Sequence, residues 1–390
     1  MTMPGAHELA RSAAERLERL GAASVGRLRV LVGFDGFVDS IIHVVARRRS
    51  MRVDDYERIR TIAEFAARCA AASGRSTNIE RVVLEERFGG NGPLMAGALG
   101  RLGCSVSFVG AVGKDDQSRE LLDVFRPFAA RCRRVVAVGR PGLTDAMEFD
   151  DGKLMLNQTA QVQSVTWERL IERLGEKALS DLVDHADLIG IVNWSLCGGV
   201  EGIWRGLRTQ VLPRLAMRER RLYVDLSDPA KRTDEDVGHA LAELRLLHEA
   251  IDVTLGLNLA EAERIAQVLG VVAFEEGAHR TLGDAVAHAA GVLRQATGLG
   301  CVVVHPRQGA AAATAEERVW VDGPFMLSPR LSTGAGDHFN AGFSMARSLG
   351  LSLGECLSVG TGVSGAYVRD AASPTLDRLC GFLRALPAPE

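Results

Sequence analysis

The sequence predicts an α/β fold, a mostly parallel central sheet with helices on both faces. Two observations predict it. Short apolar runs alternate with stretches of helical periodicity along most of the chain. The composition, 47% hydrophobic and 24% charged over 390 residues, suits a globular protein with a large core. No internal repeat, low-complexity tract or linker interrupts the pattern, so one continuous α/β domain is expected.

Taken in order, Ala6 to Leu20 alternates charge with Ala and Leu at helical spacing. It lacks the apolar stretch and small-residue cleavage site of a signal peptide, and residues 1–26 read as a helical extension. Candidate strands are Leu28–Val32, Ser105–Val109, Arg134–Val138, Leu188–Val192, Leu222–Leu226, Val253–Gly256 and Cys301–His305. Candidate helices are Tyr56–Ala72, Pro93–Leu102, Gln117–Phe125, Thr166–Leu174, Trp204–Leu215, Leu259–Leu269, Leu282–Thr297, Asp337–Ser348 and Leu353–Val368. Two segments break the rhythm. Residues 75–90 contain an amphipathic strand pattern from Asn78. Residues 146–158 carry Asp151 and Gly152 between extended runs, a hairpin signal.

Composition excludes some partners. A formal net charge of -3 gives no reason to expect nucleic acid or an anionic membrane. No run is long enough to span a bilayer. The seven cysteines are far apart, without a C-x-x-C pair, which argues against a disulfide framework or structural zinc. A cytoplasmic location is the default.

The most informative stretch is Leu331 to Phe343, where Gly334, Ala335 and Gly336 open a helix and Asp337 lies in its first turn. A helix start with unpaired backbone amides holds an anion without a basic side chain. A carboxylate beside that anion can take a proton from an attacking alcohol, and phosphoryl transfer needs little more. Asp35 and Asp39 follow the first strand, where carboxylates face ligands in an open α/β sheet. Either one caps a turn or orients a polyol. Gly89, Gly90, Asn91, Gly92 and Pro93 lead into another helix and allow close backbone approach. Asn258 and Glu261 have the spacing of a capping box.

Thr333 to Phe343 resembles the C-terminal signature D-T-x-G-A-G-D…F-x-x-G-F of the ribokinase-like (PfkB) carbohydrate kinases. Gly89 to Gly103 resembles their N-terminal signature, and Asn258 with Glu261 their N-x-x-E motif. The resemblance runs from about Arg27 to Leu379. It implies a ribokinase-like fold over residues 27–390, with a small β lid made from the two segments near 75–90 and 146–158. It implies an ATP-dependent kinase acting on a sugar hydroxyl. Asp337 would be the base, and the amides of Gly334, Ala335 and Gly336 the anion hole. Asn258, Gly309, Thr333, Gly334 and Gly336 would contact the nucleotide. Mg²⁺ would be held through water by Glu261 and Asn258. Asp39, with Asp35 as the alternative, and Gly89, Gly90 and Asn91 would position the acceptor. Apolar and small residues around Gly360–Ala366 would form the adenine slot. Asp225 to Arg232 resembles the D-x-N-x-R loop of relatives.

Four positions depart from the family: Leu94 stands for an Asn that reaches the sugar, and His305 for a nucleotide-side Thr. Leu331 stands for an Asp that helps hold a monovalent cation, and Ser332 for the Thr that follows it. Weak or absent K⁺ activation is therefore expected. A nucleoside kinase, an ADP-dependent sugar kinase and a catalytically silent sugar- or nucleotide-binding relative are the alternatives. Lid-mediated homodimers occur among relatives, and the assembly stays open.

Overall fold

The computed structural model describes residues 5–275, 277 and 279–390. In chain order its strands are β1 (Arg29–Phe34), β2 (Phe37–Arg48), β3 (Tyr56–Arg58), β4 (Arg81–Gly89), β5 (Ser105–Gly110), β6 (Arg134–Ala137), β7 (Gly142–Phe149), β8 (Gly152–Gln158), β9 (Leu188–Val192), β10 (Arg221–Asp225), β11 (Asp252–Leu257), β12 (Cys301–Val304), β13 (Gly309–Ala313) and β14 (Arg318–Asp322). The main sheet has the order β14-β13-β12-β11-β10-β9-β1-β5-β6. All its neighbours from β12 to β6 pair in parallel, while β13 and β14 form an antiparallel edge.

Both faces of this sheet are buried because each strand sends alternate apolar residues to opposite layers. Val30 and Val32 join one core with Met95, Phe343 and Val363. Leu31 joins the other with Leu244, Ile265 and Val286. Parallel pairing brings the C-terminal ends of β1, β9, β10, β11 and β12 to one edge, where open α/β sheets bind ligands.

The two segments that break the βα rhythm belong to a second sheet, β3-β2-β7-β8, with β4 also paired to β2. The β7–β8 hairpin turns at Asp150 and Asp151, and Gly152 already pairs with Phe149. The helix Ile62–Ala70 covers one side of this sheet, where Ile62 and Phe65 pack on Ile42, Val44, Met147 and Phe149.

Some expectations are corrected. The helix expected over Tyr56–Ala72 splits, because Tyr56–Arg58 pairs with β2 and Thr61 with Glu64 forms a capping box that restarts the chain as a helix. The helix expected over Gln117–Phe125 is reduced to a turn at Asp123–Phe125. There Asp115 Oδ1 accepts from the amides of Gln117 and Ser118, offering that backbone an alternative to helix. The helix expected from Trp204 starts earlier, as Val200–Gly206, and degrades into irregular turns before Pro213, which has no amide to continue it.

The amino-terminal helix, Ala6–Arg27, buries Ala10, Ala13, Ala14 and Leu17 against the helices Leu353–Asp370 and Leu376–Arg384. Its apolar face is thus part of the main core. No described helix is long and apolar enough to cross a membrane.

Candidate active site

The helix Ala335–Ser348 begins at Gly334, whose φ of 86° is in the left-handed region that glycine tolerates best. A Cβ there would come within 3.1 Å of Leu94 Cδ1 and 3.2 Å of the Tyr367 hydroxyl. Among the described residues the amides of Gly334 and Gly336 have no protein acceptor, whereas Ala335 N–H donates to Ser332 O at 3.2 Å. Two of the three expected anion-hole amides are therefore free, and the third is engaged in a turn.

Asp337 is buried, and its Oδ1 accepts from Asn91 Nδ2 at 2.9 Å. Burial, reinforced by the charge of Asp225, holds its carboxyl well above the usual range. Asp225, at the end of β10, accepts from Asn340 Nδ2 at 2.6 Å and from Ser227 N–H at 2.8 Å. Tyr223 donates to Asn340 Oδ1 at 2.6 Å, which fixes the orientation of that amide.

Glu261 accepts from Asp228 N–H and Asn258 N–H, each at 2.9 Å, while Asn258 Oδ1 accepts from Glu261 N–H. The capping box is real, and Glu261 also pins the loop after β10. Burial first, then Asp225, pushes its carboxyl up to about 7. Asp225, Glu261 and Asp337 are thus buried near one another, and none forms an ion pair among the described residues. That excess of negative charge suits a divalent cation. Among the described residues no group of three ligating side chains converges there.

The two aspartates after β1 part company. Asp35 is fully buried. It accepts from Gly92 N–H at 2.7 Å and from Asn91 N–H and Asn193 Nδ2 at 2.8 Å each. It anchors the start of the helix Asn91–Arg101, and burial raises its carboxyl to about 6. Three protein donors thus reach its two oxygens, one at Oδ1 and two at Oδ2. Gly90 and Gly92 serve this anchor, because a Cβ would come within 2.9 Å and 2.6 Å of the Asp35 oxygens. Asp39 lies on β2 and lines a cavity, its carboxyl raised by burial against the opposing effects of Thr144 and Lys153. Gly89 gives it room, since a Cβ there would stand 2.3 Å from Asp39 Oδ2.

Two cavities flank the start of the Asp337 helix. One, about 580 Å³, is lined by Asn258, His305, Gly309, Ser332, Ala335 and Gly336, with Thr361, Ser364 and Gly365 from the expected adenine region. The His305 ring lies 4.6 Å from that of Phe339, tilted 30° to it, and burial lowers its imidazole to about 4. The other, about 560 Å³, is lined by Asp39, Leu94, Lys153, Leu331, Thr333 and His338 among others. Trp194 belongs to the buried core and lines neither cavity; its Nε1 donates to Glu201 and Arg232 lies over its ring at 4.4 Å.

Sequence reasoning did not single out Asn340, Tyr223, Tyr367 or His338. Asn340, three residues after Asp337 on one helix face, carried the only local signal.

Comparison with known proteins agrees with this geometry. A family model of prokaryotic ketohexokinase matches residues 7–385. A ketohexokinase from Haloferax volcanii is 34% identical over 356 residues, covering 91% of this chain and 90% of that protein. Among solved structures, a phosphofructokinase-2 variant from Escherichia coli superposes with a TM-score of 0.62 at 16% identity, covering 92% of this chain and 99% of that one. A ribokinase from Arabidopsis thaliana complexed with ribose and ATP gives a TM-score of 0.59 at 17% identity, with the same coverage. These two likenesses concern the fold. Family match, relative and fold together make the chain a member of the prokaryotic ketohexokinase family, an ATP-dependent sugar kinase with a ribokinase-like architecture.

Proposed function

We propose that this protein transfers the terminal phosphoryl group of ATP to a hydroxyl of a ketohexose, with Asp337 as general base. The observation that carries the reading is one helix start between two cavities. Ala335 and Gly336 face the first, Thr333 and His338 the second, and the buried Asp337 follows directly. ATP would occupy the cavity of Asn258, Gly309 and Gly365, and the sugar that of Asp39.

Asp337 takes the proton from the attacking hydroxyl, and burial raises its affinity for that proton. The free Gly334 and Gly336 amides meet the charge that builds on the transferred phosphoryl. Asp39 orients the sugar by accepting from its hydroxyls. Glu261 and Asn258 would hold Mg²⁺ through water, and the ion would neutralise charge on the phosphates. The second sheet serves as a lid, because Asp39, Ala146, Lys153 and Met155 from it line the acceptor cavity. Residues 27–390 are read as the kinase domain, with the amino-terminal helix packed on its end. All seven cysteines are free thiols, in keeping with a reducing compartment such as the cytoplasm.

The acceptor class comes from the name of the Haloferax volcanii relative. It is tested by Mg²⁺-dependent ADP release from ATP against ketohexoses, aldoses, sugar phosphates and nucleosides, with ADP tried as the alternative donor. Turnover with ketohexoses alone supports the reading. Turnover only with nucleosides, only with ADP as donor, or with no acceptor removes it.

A further inference from the structure

We propose that Tyr367, braced by His338, aims the Gly334 amide of the anion hole, making both of them positioning residues for phosphoryl transfer. The inference rests on the reading of Gly334 and Gly336 as anion-hole donors, and deepens it.

The argument begins with the planar peptide. A C=O and the N–H of the next residue belong to one rigid unit and point in opposite directions, so holding the carbonyl aims the amide. Tyr367 donates its hydroxyl to Thr333 O at 2.8 Å, and that carbonyl shares its peptide with Gly334 N–H. His338 Nδ1 lies 2.7 Å from Gly334 O, which shares its peptide with Ala335 N–H. The same Gly334 O also accepts the helical bond from His338 N–H at 3.1 Å. Two successive peptide planes at the helix start are thus held, the first carrying the free Gly334 amide and the second the Ala335 amide that already donates to Ser332 O. The need for such a hold is physical, since glycine is the residue with the least intrinsic restriction on φ and ψ. An amide free to swing would present no organised charge to the transition state.

The two side chains also hold each other. Their rings stack at 3.6 Å with an interplanar angle of 15°. His338 Nε2 lies 2.9 Å from Ser373 Oγ. Because Gly334 O can only accept, His338 Nδ1 carries the proton, and Nε2 accepts from the Ser373 hydroxyl. Burial lowers this imidazole to about 4, which keeps it neutral in that tautomer. The clamp therefore runs from Ser373 through His338 to Gly334, with Tyr367 beside it on Thr333. Leu94 and the Tyr367 hydroxyl both crowd this glycine, standing 3.1 Å and 3.2 Å from a Cβ placed on Gly334.

The test is Tyr367→Phe, which keeps the stacked ring and removes only the hydroxyl, with Ser373→Ala as a second variant and Asp337→Asn as reference. A lost positioning bond should lower kcat about tenfold in Tyr367→Phe and less in Ser373→Ala, with the KM of ATP and of ketohexose within about twofold of the parent. Binding of ADP with aluminium fluoride, a planar phosphoryl mimic, should weaken by the same factor while binding of ADP alone does not. A role confined to fold stability would lower the melting temperature without this split. A kcat within about twofold of the parent in both variants, or losses confined to KM, would overturn the clamp. If Asp337→Asn retains more than about a tenth of kcat, the underlying assignment of the site fails instead.

Discussion

Asn91 Nδ2 donates to Asp337 Oδ1 at 2.9 Å, joining the first turns of two helices that lie 246 residues apart in sequence. One oxygen of the proposed base is thereby occupied, and Oδ2 has no protein donor among the described residues. The bond favours the ionised form and opposes the burial that raises the carboxyl.

Removing that donor gives the first prediction. In Asn91→Ala the Asp337 carboxyl should rise further, so the acidic limb of the kcat/KM profile moves to higher pH. The sign follows from the requirement that the base be ionised, because a higher pKa means less active form at a given acidic pH. Profiles measured on both proteins check this, and a limb that stays put or moves to lower pH contradicts it.

A second prediction concerns Glu261. Its carboxyl stands at about 7 in the folded protein against an ordinary 4.5, and Asp35 stands at about 6 against 3.8. Raised carboxyls bind more protons folded than unfolded, so they contribute stability below the unfolded values that is lost as pH rises through the folded ones. The ligand-free protein should therefore lose stability between about pH 4 and 7 from these groups. Glu261→Gln should flatten the upper part of that slope, as read from thermal melting across pH. The same variant should need several-fold more Mg²⁺ for half-maximal rate.

Gly89 provides a third. A methyl group there would stand 2.3 Å from Asp39 Oδ2, so the carboxylate in Gly89→Ala must turn away. The KM for ketohexose should rise about tenfold or more, while the KM for ATP stays within about twofold, since the nucleotide cavity is lined by other residues. Equal changes in both would argue against Asp39 as the acceptor contact.

Monovalent cations give a fourth. Leu331 has no carboxylate to hold one, and the Thr333 carbonyl already accepts from Tyr367. Replacing K⁺ by Na⁺ should change the rate by less than about twofold. A several-fold activation by K⁺ would contradict this.

Much of the site was legible because its chemistry is local. A helix start after glycines, with an acid in the first turn, reads the same in sequence and in space, as Gly334 to Asp337 demonstrate. The Asn258–Glu261 capping box was equally local. Asp35 and Asp39 could not be separated by sequence, because only the fold buries one under the helix Asn91–Arg101 and leaves the other on β2. Tyr367 and Tyr223 carried no signal, since each reaches its partner across more than a hundred residues or from a neighbouring helix. β13 was missed for a related reason: Gly309–Ala313 has no β-branched or aromatic residue, and it is a strand because β12 and β14 bond it on both edges.

The most direct test is the rate of phosphoryl transfer from ATP to D-fructose, as the ketohexose, by the parent protein and by Asp337→Asn. The account predicts Mg²⁺-dependent turnover by the parent and a loss of roughly 10²–10⁴ in kcat in a variant that melts normally and still binds ATP. A folded Asp337→Asn protein that retains more than about a tenth of the parent rate would remove Asp337 from the role of base.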